Sequence, residues 1–403
     1  MWVHRERHGA RLPSEADSDE KSARGTRLKV SPREHLRQGG NGRLGACVSN
    51  APARDWSDHR TFTTDQELLL AAPHAADAAA RIPTGRWIRT LFVSLVATFG
   101  VLAGLEMGLR AAGFVPSLND TPSLWTYHRT RAVGEDPVVL LGFSRMLLAI
   151  DPEVLSERLD RPVVQLAINA SSPMPILADL AADTSFAGLV WLSLVSQDFY
   201  RTYGVSEEYV ARGRSSVAGL NARLNREFGW FLAEHLALRG PQARLLAWWD
   251  GLVLGTGNAP PNFTMTRDRF RRGDYSRMDH DELRAGMLRR ADEFLEPWRH
   301  MSLDRETMMD SIAVMEDRIA AIRERGGDVV IIRLPVTGGQ KALEDELFPR
   351  AQFWDALAER TSARTLHFED YPTLRDYYLP DDSHLDYRDS AAFTLALAEA
   401  LGH

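Results

Sequence analysis

Apolar and polar positions divide the chain into three stretches of different pattern. From Met1 to about residue 85 no apolar period is sustained, and Arg, Ser, Gly, Asp and Ala dominate. Such a stretch buries too little apolar surface to offset the entropy of ordering it, so it is expected to stay disordered. An upstream start codon would leave the same composition. The second stretch, residues 86–112, contains an uncharged apolar run from Thr90 to Leu105. That run alone is shorter than the ~20 residues needed to cross a bilayer. Trp87 and Ile88 at one end and Met107 to Leu109 at the other restore the length, with the Arg side chains snorkelling and Glu106 near an interface. No Ala-x-Ala cleavage site follows, so a single-span anchor is expected rather than a removed signal peptide. The competing reading is a buried helix of a soluble protein. Arg81, Arg86 and Arg89 precede the span and Arg110 is the nearby base behind it, which places the tail in the cytoplasm and the body outside.

The third stretch, residues 116–403, alternates short apolar runs with segments of helical period. Strands are predicted over residues 136–142, 162–168, 188–195 and 328–334, with a weaker fifth over 364–368. Between them, helices are expected over 147–159 (with Asp151-Pro152 as a start signal), 174–182, 304–325, 353–361 and 387–401. Strands alternating with helices imply an α/β fold, a doubly wound parallel sheet covered on both faces. Between about 200 and 300 the alternation breaks. This Arg- and Trp-rich part reads as helical from about 215 to 254, followed by a turn-rich loop at 255–262. It is expected to be an insertion, either a lid over the site or extra core.

Composition then narrows the classes. A single cysteine excludes a disulfide-stapled fold and a Cys-rich metal site. A net charge of -7 argues against a nucleic-acid binder. The leading segment is basic and the body carries the acidity, which fits two compartments.

Two short segments carry candidate chemistry. Leu141-Gly142-Phe143-Ser144-Arg145 joins the first predicted strand to a helix, where ligands bind in open α/β sheets. A Ser at that point projects its hydroxyl into the crevice beside backbone N–H groups suited to an oxyanion; the bland use is to cap the helix. Met146 stands where the second Gly of Gly-x-Ser-x-Gly belongs, so the nucleophile elbow of α/β-hydrolases is disfavoured. The second segment is Asp381-Asp382-Ser383-His384-Leu385-Asp386. An Asp three residues before a His can hold the imidazole so that its other nitrogen takes a hydroxyl proton. Asp381 has that spacing, Asp382 and Asp386 compete for it, and Asp386 also suits the cap of the last helix. A cation site built from Asp381, Asp382, His384 and Asp386 is the weaker alternative, and no metal or organic cofactor is required.

Together, Gly-x-Ser after the first strand and Asp-x-x-His before the last helix resemble the SGNH (GDSL-type) hydrolase superfamily, which has a flavodoxin-like three-layer fold. The resemblance spans roughly 136–403. It implies Ser144 as nucleophile, His384 as general base and Asp381 as its orienting carboxylate. The helix ending Leu-Glu-Met-Gly-Leu-Arg-Ala-Ala-Gly-Phe-Val-Pro is similar to membrane-anchored bacterial members that acylate cell-envelope polymers. It implies an ester or glycan substrate and a multispanning membrane O-acyltransferase as partner. For the oxyanion hole, the resemblance implies the N–H of Ser144 and of Ala170, where the family has Gly. It also implies Gln197, where the family has Asn, with Asn169 as a neighbouring donor. Arg145 and Arg333 are candidate grips for a substrate carboxylate or phosphate, salt bridging being the commoner use of such residues. The expected function is therefore a serine esterase or O-acyltransferase. The alternative is a non-catalytic glycan-binding or assembly module, with Trp230, Trp248 and Trp249 stacking on sugars.

Overall fold

The computed structural model describes residues 87–134, 136–215, 219–243 and 260–403. The tail, Trp248, Trp249 and most of the 255–262 loop lie outside the described residues.

The described chain begins with helix α1 (Trp87–Ala111) and α2 (Pro122–Arg131). Strand β1 (Val138–Leu141), helices α3 (Ser144–Ala149) and α4 (Pro152–Leu159), and β2 (Val163–Gln165) follow. Next come α5 (Met174–Ala182), β3 (Leu189–Ser193), α6 (Ser206–Ser215) and α7 (Leu220–His235). A hairpin of β4 (Phe263–Met265) and β5 (Arg271–Gly273) precedes α8 (His280–Arg299) and α9 (Arg305–Arg323). The chain closes with β6 (Asp328–Arg333), α10 (Gly338–Leu347), α11 (Trp354–Arg360), β7 (Arg364–His367), α12 (Pro372–Arg375) and α13 (Tyr387–Ala400).

The five apolar runs form one parallel sheet in the order β2-β1-β3-β6-β7. The order reverses beside β1, a switch point that opens a crevice at the carboxyl ends of the strands. Successive residues of each central strand enter different cores. Val139, Leu141, Val190, Leu192, Val329 and Ile331 belong to one cluster, with Ile176 and Leu177 of α5 and Ile312 and Met315 of α9. Val138, Leu140, Leu189, Trp191, Val330 and Ile332 belong to the other, with Leu155 of α4 and Phe393 and Leu397 of α13. Period-two alternation between two apolar clusters means that both faces are covered, which is why these strands read as continuous apolar runs.

Several elements depart from the sequence reading. The 147–159 segment is two helices, because Asp151 precedes Pro152 and is held extended; its side chain accepts from the N–H of Glu153. Helix α7 ends at His235. The insertion holds the β4–β5 hairpin and α8, and α8 contributes Ala291, Leu295 and Trp298 to the first core. It is in that part extra core rather than a detached cover. Helices α2 and α10 had no apolar period strong enough to announce them. Helix α1 is long and apolar enough to cross a membrane, and no described residue buries its apolar window. It is hydrophobic on every side, as lipid would demand.

Candidate active site

The site begins with Gly142, which ends β1 at φ 154. A Cβ there would lie 2.9 Å from that of Met146 and 3.0 Å from that of Ser193, so both the angle and the space call for glycine. The chain then turns sharply through Phe143, the N-cap of α3, and Ser144 is the first helical residue. The serine is therefore not the cap, and its hydroxyl is left for another partner.

That partner is His384, whose Nε2 lies 2.8 Å from Ser144 Oγ across 240 positions of sequence. The other ring nitrogen, Nδ1, lies 2.9 Å from Asp381 Oδ2. Asp381 Oδ1 accepts from the N–H of Ser383 at 3.0 Å and of His384 at 2.8 Å, which closes the loop tightly around the carboxylate. Burial alone would raise the pKa of Asp381, but the facing imidazole and these N–H donors hold it below its usual value. An ionised carboxylate only accepts, so Nδ1 carries the proton and Nε2 is free to accept the serine hydroxyl hydrogen.

A further donor to Asp381 comes from the insertion. Tyr275 Oη donates to Asp381 Oδ2 at 3.2 Å, and its ring is buried. Burial and the neighbouring carboxylate push its phenol well above the ordinary value, so it stays a neutral donor. The hairpin that carries it is tied to the sheet by Arg269. This buried guanidinium bonds both Asp120 oxygens at 2.9 Å and the carbonyls of Gln165 and Ala167 at 2.8 and 3.0 Å. Sequence reasoning missed Tyr275 because nothing local distinguishes it from any other tyrosine.

The competing carboxylates have other work. Asp382 receives the Thr337 hydroxyl at 3.2 Å and the Gly339 N–H at 3.2 Å, at the start of α10. Gly338 has φ 54, and any Cβ there would fall on the Asp382 carboxylate. Asp386 caps α13 through the Arg388 N–H. The four residues considered as cation ligands are thus divided among separate tasks, and among the described residues no cluster of three or more His, Cys, Asp or Glu is placed to hold a metal ion.

Arg145 and Arg333 are drawn inward. Arg145 is 3% exposed; its Nη2 bonds Glu344 Oε1 at 2.6 Å and its Nε bonds Ser383 Oγ at 3.1 Å. Arg333 Nη2 bonds the other Glu344 oxygen. Burial would raise the Glu344 pKa, but the two guanidinium groups bring it down to about 2. The geometry gives these residues the salt-bridging use, an ion-pair clamp on Glu344 beneath the Asp381–His384 loop, rather than the candidate role of a substrate grip.

The oxyanion candidates are distributed unevenly. The Asn169-Ala170 loop is exposed and linked to Gly142, whose carbonyl accepts from the Ile168 N–H at 3.1 Å. Ala170 has φ 51, the left-handed region that disfavours a side chain. The loop is braced from behind: Ser172 N–H donates to the Tyr203 carbonyl at 3.0 Å and Val205 N–H to Ser171 Oγ at 3.0 Å. Gly204 makes this possible, since a Cβ there would fall on Ser171 Oγ and the Ala170 carbonyl. Gln197 is buried and lines a cavity of ≈ 30 Å³ with Arg333, Glu344 and His367, a cavity that includes neither Ser144 nor His384. Its neighbour Asp198 accepts from the Val195 N–H at 3.0 Å, and burial pushes its pKa up to about 6. Two larger cavities, ≈ 450 and ≈ 530 Å³, have neither Ser144 nor His384 in their linings.

Comparison with family models finds no match, and comparison with curated proteins finds none. The fold class is α/β with a five-stranded parallel sheet, preceded by one helix able to span a membrane.

Proposed function

We propose that this chain is a membrane-anchored, SGNH-like serine esterase or O-acyltransferase working on an acylated envelope glycan or another ester. The observation that carries the reading is the continuous relay from Ser144 Oγ to His384 Nε2 at 2.8 Å and from His384 Nδ1 to Asp381 at 2.9 Å. In the first half-reaction His384 Nε2 takes the Ser144 proton as Oγ attacks the acyl carbonyl carbon. The tetrahedral intermediate collapses, the alcohol leaves with the proton from Nε2, and an acyl-Ser144 ester remains. Water or a glycan hydroxyl then gives its proton to Nε2 and attacks that ester; the bond from the acyl carbon to Oγ breaks, Oγ takes the proton back from Nε2, and the acyl group leaves as acid or as the glycan ester. Asp381 stabilises the imidazolium in both halves. The N–H groups of Ser144 and Ala170 are the oxyanion donors in this reading, and this chemistry calls on no cofactor.

Helix α1 anchors the domain, with the tail on the cytoplasmic side and the catalytic body outside, following the Arg residues at its start. A multispanning O-acyltransferase as partner rests on the resemblance of the anchor and triad motifs. The second reading, a binding module that keeps the sheet, is favoured by one feature: Gln197 lines a cavity in which Ser144 takes no part, and an oxyanion site built without it is one donor short. A lost donor costs about 2.7–4 kcal/mol in the barrier.

The test uses the full chain in detergent micelles with an activated acetyl ester, following leaving-group release and intact mass, beside Ser144→Ala. A +acetyl adduct or turnover that vanishes in the variant is the expected result. Equal background signals from two folded proteins would leave the binding module as the better account.

A further inference from the structure

Helix α7 carries apolar side chains on two opposite sides. Trp230 and Ala233 face the body, packed with Leu118, Leu124 and Met265. Leu224, Phe228 and Phe231, spaced i, i+4 and i+7, stand on the other side and are 58%, 64% and 50% exposed. At 3.6 residues per turn these three form one stripe. No described residue of the chain covers it.

What lies beside this stripe is set by the joint at its end. The last turn of α7 is fastened to the last turns of α1. Arg110 Nη2 donates to the His235 carbonyl at 2.7 Å, and the Glu106 carboxylate accepts the N–H groups of Ala237 and Leu238, each at 2.9 Å. Leu109 packs with Phe114, Ala237 and Ala243 in a small core of its own. The end of α7 is therefore held beside the end of the apolar span. Phe231 is one helical turn from His235, about 6 Å along the axis. The polar boundary layer of a bilayer is about 5–8 Å thick on each side, so the joint places Phe231 at that depth, and Leu224, about 16 Å farther along the axis from His235, shares it when α7 lies along the surface.

We propose that α7 is an interfacial helix, its Leu224–Phe228–Phe231 stripe seated in the same bilayer that α1 crosses. The inference rests on the reading of α1 as a membrane span. Charges on the helix are mixed, Arg223 and Arg226 with Glu227 and Glu234, so attraction to anionic lipid adds little. None is needed, because the span already holds the stripe at the surface and its insertion is intramolecular. Two points of attachment, the span and the seated helix, then fix the tilt of the body above the membrane. A single tether would let it swing.

The test is collision accessibility of spin labels on the full chain in nanodiscs of phosphatidylcholine and phosphatidylglycerol. Cys47→Ser removes the single native thiol, and Leu224→Cys, Phe228→Cys or Phe231→Cys places the label on the stripe. Val96→Cys reports the span and Glu359→Cys reports water. All three stripe positions are exposed, so each variant is expected to fold, and unchanged circular dichroism checks that. The expected result is several-fold more oxygen than nickel-chelate collision at the three stripe positions, resembling Val96. Nickel accessibility at the stripe like that at Glu359, with Val96 still in lipid, would overturn the interfacial helix and leave the anchor standing. Screening of the stripe from both probes would mean a protein partner and would overturn it equally. Water-like behaviour at Val96 would remove the span and the inference with it.

Discussion

Replacing Glu344 with glutamine tests the idea that a buried ionic clamp supports the Asp381–His384 loop. Glu344 is 8% exposed and sits between Arg145 and Arg333, with Gln340 Nε2 adding a bond of 3.0 Å. Its carboxyl is held at about 2 against an ordinary 4.5. That difference amounts to about 3 kcal/mol of folding stability at neutral pH. Removing one member of a buried ion pair costs about 3–5 kcal/mol by a separate route, since the remaining charges stay buried and uncompensated. The two figures agree. Glu344→Gln keeps the shape and one acceptor, so the loss reports charge rather than a cavity. At about 2–4 °C per kcal/mol, the midpoint of thermal unfolding should fall by about 6–12 °C at pH 7. The pH dependence carries the sign. A depressed carboxylate contributes fully above its unfolded value near 4.5, and the contribution shrinks as pH falls, vanishing near 2. Parent and variant melting curves should therefore converge between pH 5 and 2. The assay is circular dichroism of the full chain in micelles across that range. A shift under about 2 °C at pH 7, or a gap that does not narrow with acid, would refute the reasoning. Because Arg145 also bonds Ser383, next to His384, acylation of Ser144 should slow in the variant even well below its melting point.

Tyr275→Phe removes one donor from the ionised Asp381, so stability at pH 7 should fall by about 1.5–3 kcal/mol, and because the Asp381 carboxyl is held below its usual value the gap should narrow in acid. Equal stability in denaturant titrations at pH 7 would show that Tyr275 only fills space. Ala170→Gly relieves a side chain in left-handed backbone and should raise stability by up to about 1 kcal/mol while leaving Ser144 acylation intact. Lower stability in a denaturant titration would mean that the Ala170 methyl packs against something useful.

Whatever depends on local burial was legible along the chain. Four apolar runs and a weaker fifth became the five parallel strands, because central strands covered on both faces must be apolar at nearly every position. The Asp381–His384 pairing was legible for a similar reason: three residues of spacing lets a carboxylate reach its own loop's imidazole, which a short-range contact settles. The uncharged run at 90–105 announced α1, since no aqueous fold leaves that much apolar surface bare.

Tertiary structure alone decided the long-range partners. A salt bridge at Arg145 was the commoner expectation, but its partners were not legible: Glu344 and Ser383 arrive from 199 and 238 positions away. Tyr275 reaches Asp381 across 106 positions from a hairpin that sequence marked only as irregular. Gln197, expected as an oxyanion donor, lies buried in a short 3₁₀ turn and lines a cavity in which Ser144 takes no part. Hydrophobic period reports whether a residue is buried; it carries no address for what it meets there. Charged and polar partners are therefore the part of this site that only the folded chain defines.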